Sequence, residues 1–266
     1  MPTVAHTALT SRSHALWVVL ADPEGGRGGH TVGVLRAAPL LLLVALLPGC
    51  SAVAGAPAEA PAASASGSAV DAAALLQGLR TAPEEQGATY ERSAFGYGDG
   101  PFDPDGDGCW TRREVLIRDH VGPLEIGGGC RLTGEWRSVY DGRTTTDPDA
   151  FTLDHLVPLA EAWRSGADRW APSRLVAYGN DLGYRWSLVA VTASVNEEKG
   201  DQDPATWLPE RARCTYVAAW VAVKTRWRLT VDRAERAALA RELERCGPTP
   251  IPSPGTPDLR ALLPRS

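Results

Sequence analysis

Residues 152–209 read TLDHLVPL at 152–159, AYGNDLGYRWSLVAV at 177–191 and TASVNEEKGDQDPATWLP at 192–209. The first piece is an apolar run interrupted by the adjacent Asp154 and His155, which predicts a short strand. Pro158 follows it, a residue tolerated at a strand end and not within a central strand. Residues 187–192, SLVAVT, form a second short apolar run rich in β-branched residues. Asn196 and Lys199 come next, three apart, a spacing that sets both on one face of a helix. Two strands and a helix thereby bring together a carboxylate, an imidazole and an amide. Such a set can hold one hard cation beside one general base.

Asp-His on a first strand, a second strand, then N-x-x-K-G-D leading to Pro204 resembles the HNH, or ββα-metal, nuclease fold. Within it the chain is similar to secreted actinobacterial HNH-family proteins related to the GmrSD-type restriction endonuclease C-terminal domain. GDGCWTRREVL at 106–116 and CTYVAAWVAVKTRW at 214–227 have the look of that branch. The likeness runs from about Tyr90 to Cys246. It implies that Asp154 and Asn196 hold a Mg²⁺-type ion and that His155 is the general base. In a regular strand Asp154 and His155 point to opposite sides; the family's distorted hairpin implies that both act at one centre. The family places an Asn at the start of the second strand to orient the catalytic His through its backbone, and Ser187 holds that seat here. Lys199 contacts a phosphate or is a solvated helix cation; both readings stand.

The 266 residues carry a net charge of −5, which argues against a protein that coats nucleic acid by bulk positive charge. A hydrolase needs only a local basic face. Arg211, Arg213, Lys224, Arg226 and Arg228 are the obvious concentration. On a helix, Tyr216, Trp220, Val223 and Trp227 share one face and leave Lys224 and Arg228 on another. That face steers a phosphate backbone or keeps the helix soluble. Trp163, Trp170, Trp186 and Trp207 are expected to pack more than to stack on bases.

Five Cys, nine Trp and one Met suit an exported protein. Residues 1–50 read as a signal region, with the apolar run 40–47 preceded by Arg36 and followed by Pro48, Gly49 and Cys50. The run is far shorter than the roughly 20 residues a membrane span needs. L-P-G-C resembles a lipobox, which implies a lipid anchor at Cys50; cleavage in the Ala-rich stretch beyond is the alternative. Val32 and Val34 are candidate true starts. Residues 51–78 read as a flexible linker with a short helix near its end, 79–246 as the nuclease domain, and 247–266 as an extended, unpacked Pro-rich tail.

Residues 103–114, DPDGDGCWTRRE, put Asp103, Asp105, Asp107, Gly108 and Glu114 at the first, third, fifth, sixth and twelfth places of an EF-hand calcium loop. The same residues suit a turn followed by a Thr111–Glu114 capping box. The Gly-rich run before them excludes a full EF-hand, so Ca²⁺ here would be structural. A helix is expected over 111–120, with His120 closing it as a dipole partner. Asp141-Gly142 predicts a two-residue hairpin turn. Residues 215–229 and 232–245 have helical spacing, the second opened by an Asp232–Glu235 capping box. An antiparallel pair brings Cys214 near Cys246, so neighbour pairing also joins Cys109 to Cys130. The absence of C-x-x-C disfavours zinc.

The expected fold class is therefore α+β: a ββα-metal (HNH-like) core with added helices, a C-terminal helical hairpin and two disulfides. The expected function is an exported, metal-dependent HNH-type endonuclease using Mg²⁺ or a similar divalent cation. Its substrate is DNA or RNA, cut with low sequence specificity, since no major-groove reading module is present. No obligate protein partner is evident. The alternative is a catalytically degenerate surface lipoprotein of the same fold acting as a binding module.

Overall fold

In the computed structural model the described residues are 68–85, 87–96, 102–103 and 105–263. The signal region, Cys50 and most of the expected linker lie outside them. Strand β1 (Ala69–Asp71) runs straight into helix α1 (Ala72–Gly78), where the Asp71 carboxylate accepts from the N–H groups of Ala73 at 2.9 Å and Ala74 at 3.1 Å. That is an ordinary N-cap. Helix α2 (Thr111–Asp119) is followed by β2 (His120–Gly127), β3 (Arg131–Arg137) and β4 (Thr144–Thr145), a three-stranded antiparallel sheet. Strand β5 (Phe151–His155), α3 (Leu159–Arg164), α4 (Pro172–Gly179), β6 (Leu188–Thr192) and α5 (Ala193–Lys199) come next. Helices α6 (Arg213–Trp227) and α7 (Arg233–Cys246) and the short β7 (Pro250–Pro252) complete the fold.

The architecture is α+β with two disulfides, Cys109–Cys130 and Cys214–Cys246, as the spacing suggested. α6 is apolar on nearly every side and buried from Tyr216 to Lys224, which makes it the central helix of the larger core. A helix hydrophobic all round has no solvated face, so the expected split into apolar and basic sides fails. Lys224 and Arg226 are buried in ion pairs with Glu161, Glu235 and Asp181. They are not a steering surface. A smaller core joins α2, β3, β5 and β6 through Val115, Leu116, Leu132, Trp136, Leu153 and Leu188.

Three local expectations change. Thr111 Oγ1 donates to Asn180 Oδ1 at 2.8 Å and to the Phe102 carbonyl, so the N-cap of α2 falls on Trp110 and no Thr111–Glu114 capping box forms. Asp141 and Gly142 lie in a longer connection closed by Ser138 N–H on the Arg143 carbonyl, because β3 ends at Arg137 opposite Thr144. The proline-rich tail is packed: β7 pairs antiparallel with β1, Ile251 is buried, and the carbonyls of Pro252 and Pro254 accept from Tyr184 and Arg226. Proline is tolerated there because each strand of a two-stranded ribbon is an edge. The Asp232–Glu235 capping box on α7 is present.

Candidate active site

β5 and β6 pair antiparallel with Phe151 opposite Thr192, Leu153 opposite Ala190 and His155 opposite Leu188. α5 starts on the residue after β6, so a hairpin is followed at once by a helix that packs back on it. Strand alternation puts Thr152 and Asp154 on the face that meets α5, with Leu153 and His155 on the other. Asn196 Nδ2 donates to Thr152 Oγ1 at 3.0 Å. Lys199 Nζ donates to Asp154 Oδ1 at 2.7 Å and to the His155 carbonyl at 2.9 Å. A cavity of about 330 Å³ is lined by Asp154, His155 and Asn196 together, with Tyr90, Arg92 and Pro158 among its other walls. The three residues expected to converge do share one cavity, while Lys199 and Ser187 are not among its lining residues.

His155 is only 5% exposed, with its ring near-parallel to that of Tyr178 at 6.3 Å. Nε2 lies 2.9 Å from the Gly179 carbonyl, which can only accept, so Nε2 carries the proton and the imidazole lone pair is on Nδ1. Burial lowers the imidazole pKa from 6.5 to about 3; the Gly179 bond opposes this, and the charges of Arg92 and Lys199 add to it. The ring is therefore neutral over the working pH range. Gly179 is required here: a Cβ would sit 2.5 Å from the Phe95 carbonyl oxygen. The 3₁₀ turn Arg92–Phe95 that packs against it also carries Arg92 to the cavity.

Asp154 is 4% exposed, and both of its oxygens are engaged, Oδ1 by Lys199 and Oδ2 by the Tyr140 hydroxyl at 2.7 Å. Burial raises its pKa, and Lys199 and Tyr140 oppose the rise. Burial lowers the Lys199 pKa, and Asp154 opposes that. Lys199 is fully buried, so it is neither a solvated cation nor a surface phosphate contact. Its ammonium already neutralises the carboxylate expected to bind a divalent ion. A Mg²⁺-type ion held by Asp154 and Asn196 would have to share the Asp154 carboxylate with the Lys199 ammonium and the Tyr140 hydroxyl.

Ser187 does not orient the histidine through its side chain. Its Oγ donates to Asp181 Oδ2 at 2.6 Å, and Asp181 also takes Arg226 and Trp227 Nε1. The Gly179 carbonyl does the orienting instead. Gly179, Tyr140 and Arg92 carry no motif that would have marked them, since each reaches the site by tertiary packing. Away from this cavity, Asp103, Asp105 and Asp107 bring carboxylate oxygens within 4.8 Å of one another, and Asp107 does so with Glu114. Burial, then Asp107, Asp105 and Asp103, raise the Glu114 pKa.

Residues 130–242 match the family model of GmrSD restriction endonucleases, C-terminal domain. An uncharacterized secreted protein of Arthroderma benhamiae is 39% identical over 182 residues, covering 67% of this chain and 86% of that protein. No solved structure matches.

Proposed function

We propose a nuclease-like hydrolase, from the premise that the chain belongs to one family with the secreted fungal protein and carries the GmrSD restriction endonuclease C-terminal domain at residues 130–242. In the finer reading it is an exported HNH-type endonuclease that cleaves phosphodiester bonds in DNA or RNA with low sequence specificity. Export is supported by the relative's secretion and by two disulfides, which persist in oxidising compartments.

The observation that carries the reading is the convergence of Asp154, His155 and Asn196 on one cavity, with the imidazole held as a single neutral tautomer. His155 Nδ1 takes the proton of a water as that water's oxygen bonds to phosphorus. The opposite P–O bond breaks and the leaving oxygen takes a proton from solvent. Burial is the main cause of the depressed imidazole pKa; an approaching phosphodiester anion offsets only the smaller part that comes from the charges of Arg92 and Lys199. Arg92 places positive charge where the phosphate becomes more negative, and Asn196 offers an amide oxygen to position water. No step is assigned to a divalent ion.

One observation favours a second reading. The Asp154–Lys199 pair fills the place a cation would take, as expected of a non-catalytic binding module that keeps the fold. Incubating the purified protein with supercoiled plasmid and with a structured RNA, each with Mg²⁺, with Mn²⁺ and with chelator, separates the two. Nicking or RNA cleavage supports the hydrolase. Intact substrates under every condition favour the binding module.

A further inference from the structure

A second concavity, about 600 Å³, opens beside the β5–β6 hairpin. Arg118 from α2, Arg137 from the end of β3, Arg185 from the loop before β6 and Arg211 from the loop before α6 all line it. These residues are remote in sequence, and only the fold gathers them. Asp119 is the one carboxylate among the lining residues. It is shared by Arg118, with contacts of 2.8 and 2.6 Å, and by Arg185 at 3.7 Å. Among the described residues no ion pair joins Arg137 or Arg211 to a carboxylate. Both are exposed.

Four arginines less one aspartate leave three positive charges uncompensated in a chain whose net charge is −5. Gathering like charges costs free energy that an anion in the groove offsets. The guanidinium fork matches phosphate oxygens in pairs, and a polyanion with regularly spaced charges satisfies several forks at once. The guanidinium of Arg185 also lies over the Trp186 ring, 4.8 Å from its centroid, a cation–π contact. Arg211 packs across Gly142, where a Cβ would come within 2.8 Å of its Cδ, so the glycine makes room for the arginine to lie along the groove wall. Ala190 lines this groove, and its cross-strand partner Leu153 lines the His155 cavity. The two concavities thus flank one two-stranded ribbon.

We propose that the Arg118–Arg137–Arg185–Arg211 groove binds the phosphate backbone of nucleic acid and holds the strand whose neighbouring phosphodiester reaches His155. The proposal rests on the hydrolase reading for the identity of the polyanion. The test uses the full chain carrying His155→Ala, so that the probe stays intact, and a fluorescein-labelled oligodeoxynucleotide as single strand and as duplex. Anisotropy is followed from low to high salt. Adding Arg137→Gln and Arg211→Gln is expected to weaken binding about tenfold or more at low salt and to make the salt slope shallower by about one for each lost phosphate contact. A control pair of exposed arginines outside the groove, Arg131→Gln and Arg241→Gln, is expected to leave both unchanged.

Unaltered affinity and slope in the groove variant overturn the proposal. So does an equal loss in the control pair, which would reduce the effect to general surface charge. Absence of any binding by the His155→Ala protein overturns it as well. A wild type that cuts nucleic acid while the groove variant binds and cuts normally sinks the groove alone. A wild type that binds through the groove and never cuts sinks the hydrolase reading alone.

Discussion

Lys199→Met tests the engagement of Asp154 that sets this cavity apart from an open cation site. The ammonium is fully buried and lies 2.7 Å from a carboxylate oxygen whose side chain is 5% exposed. At an effective dielectric constant of about 20 the Coulomb attraction at that distance is about 6 kcal/mol, and desolvation of the two charges offsets most of it. Removing one partner leaves the other charge buried without compensation, at a cost of about 3–5 kcal/mol. For a domain of this size each kcal/mol moves the midpoint by about 2–4 °C, so a fall of roughly 10–15 °C is expected in thermal unfolding followed by circular dichroism. The deficit has a definite pH signature. Without Lys199 the Asp154 pKa rises further above its unfolded value, so the native state binds more protons than the unfolded one. Stability of the variant then falls as pH rises from the unfolded carboxylate pKa of about 4 through the raised native value, and the deficit is smallest in acid. Asp154→Asn added to Lys199→Met removes the orphaned charge and is expected to recover a large part of the loss. A Lys199→Met protein with wild-type stability at neutral pH, or a deficit independent of pH, would refute the reasoning.

Burial and Glu161 raise the Glu84 pKa from 4.5 to about 7. A native pKa above the unfolded one means that the contribution of Glu84 to stability is full below pH 4.5 and is lost as pH climbs through 7; Glu84→Gln is expected to make the fall over that range shallower in urea titrations at stepped pH, and an unchanged slope would remove Glu84 as a cause. Ca²⁺ at the Asp103–Asp105–Asp107–Glu114 cluster is expected to raise the unfolding midpoint of the wild type at millimolar concentration, and Asp105→Asn with Asp107→Asn is expected to abolish the rise. Equal shifts in both proteins would place any bound calcium elsewhere. Gly179→Ala puts a Cβ within 2.5 Å of the Phe95 carbonyl oxygen, so the two backbone segments must part, and the Gly179 carbonyl is expected to shift from His155. Cleavage is expected to fall at least tenfold while near-ultraviolet dichroism shows a folded protein; wild-type rates would show that this carbonyl does not position the ring.

How far the sequence reached depended on whether a feature was local. The adjacent Asp154 and His155 between apolar runs marked a strand by composition alone, and the three-residue spacing of Asn196 and Lys199 put both on one helical face, which the structure turns toward the hairpin. Spacing does not report burial, however, so the ion pair of Lys199 with Asp154 was not legible. Cys214 and Cys246 were legible because a helical hairpin brings its outer ends together. Lys224 and Arg226 misled because charge in a sequence suggests solvent, whereas Glu161, Glu235 and Asp181 reach them from distant segments. Gly179 was invisible for the same reason: its role is defined by the approach of Phe95, far away in the chain. Ile251 in the proline-rich tail is a single apolar residue, too weak a signal to predict that the tail packs.

The central claim is that a neutral imidazole at His155 activates water against a phosphodiester in this cavity. Single-turnover cleavage of an end-labelled oligonucleotide by wild type and by His155→Ala, matched in unfolding midpoint and in probe affinity, measures it directly. A fall in rate of at least about 100-fold, the lower range for loss of a general base, is the predicted result. Equal rates from the two proteins would contradict it and move the chemistry to another part of the molecule.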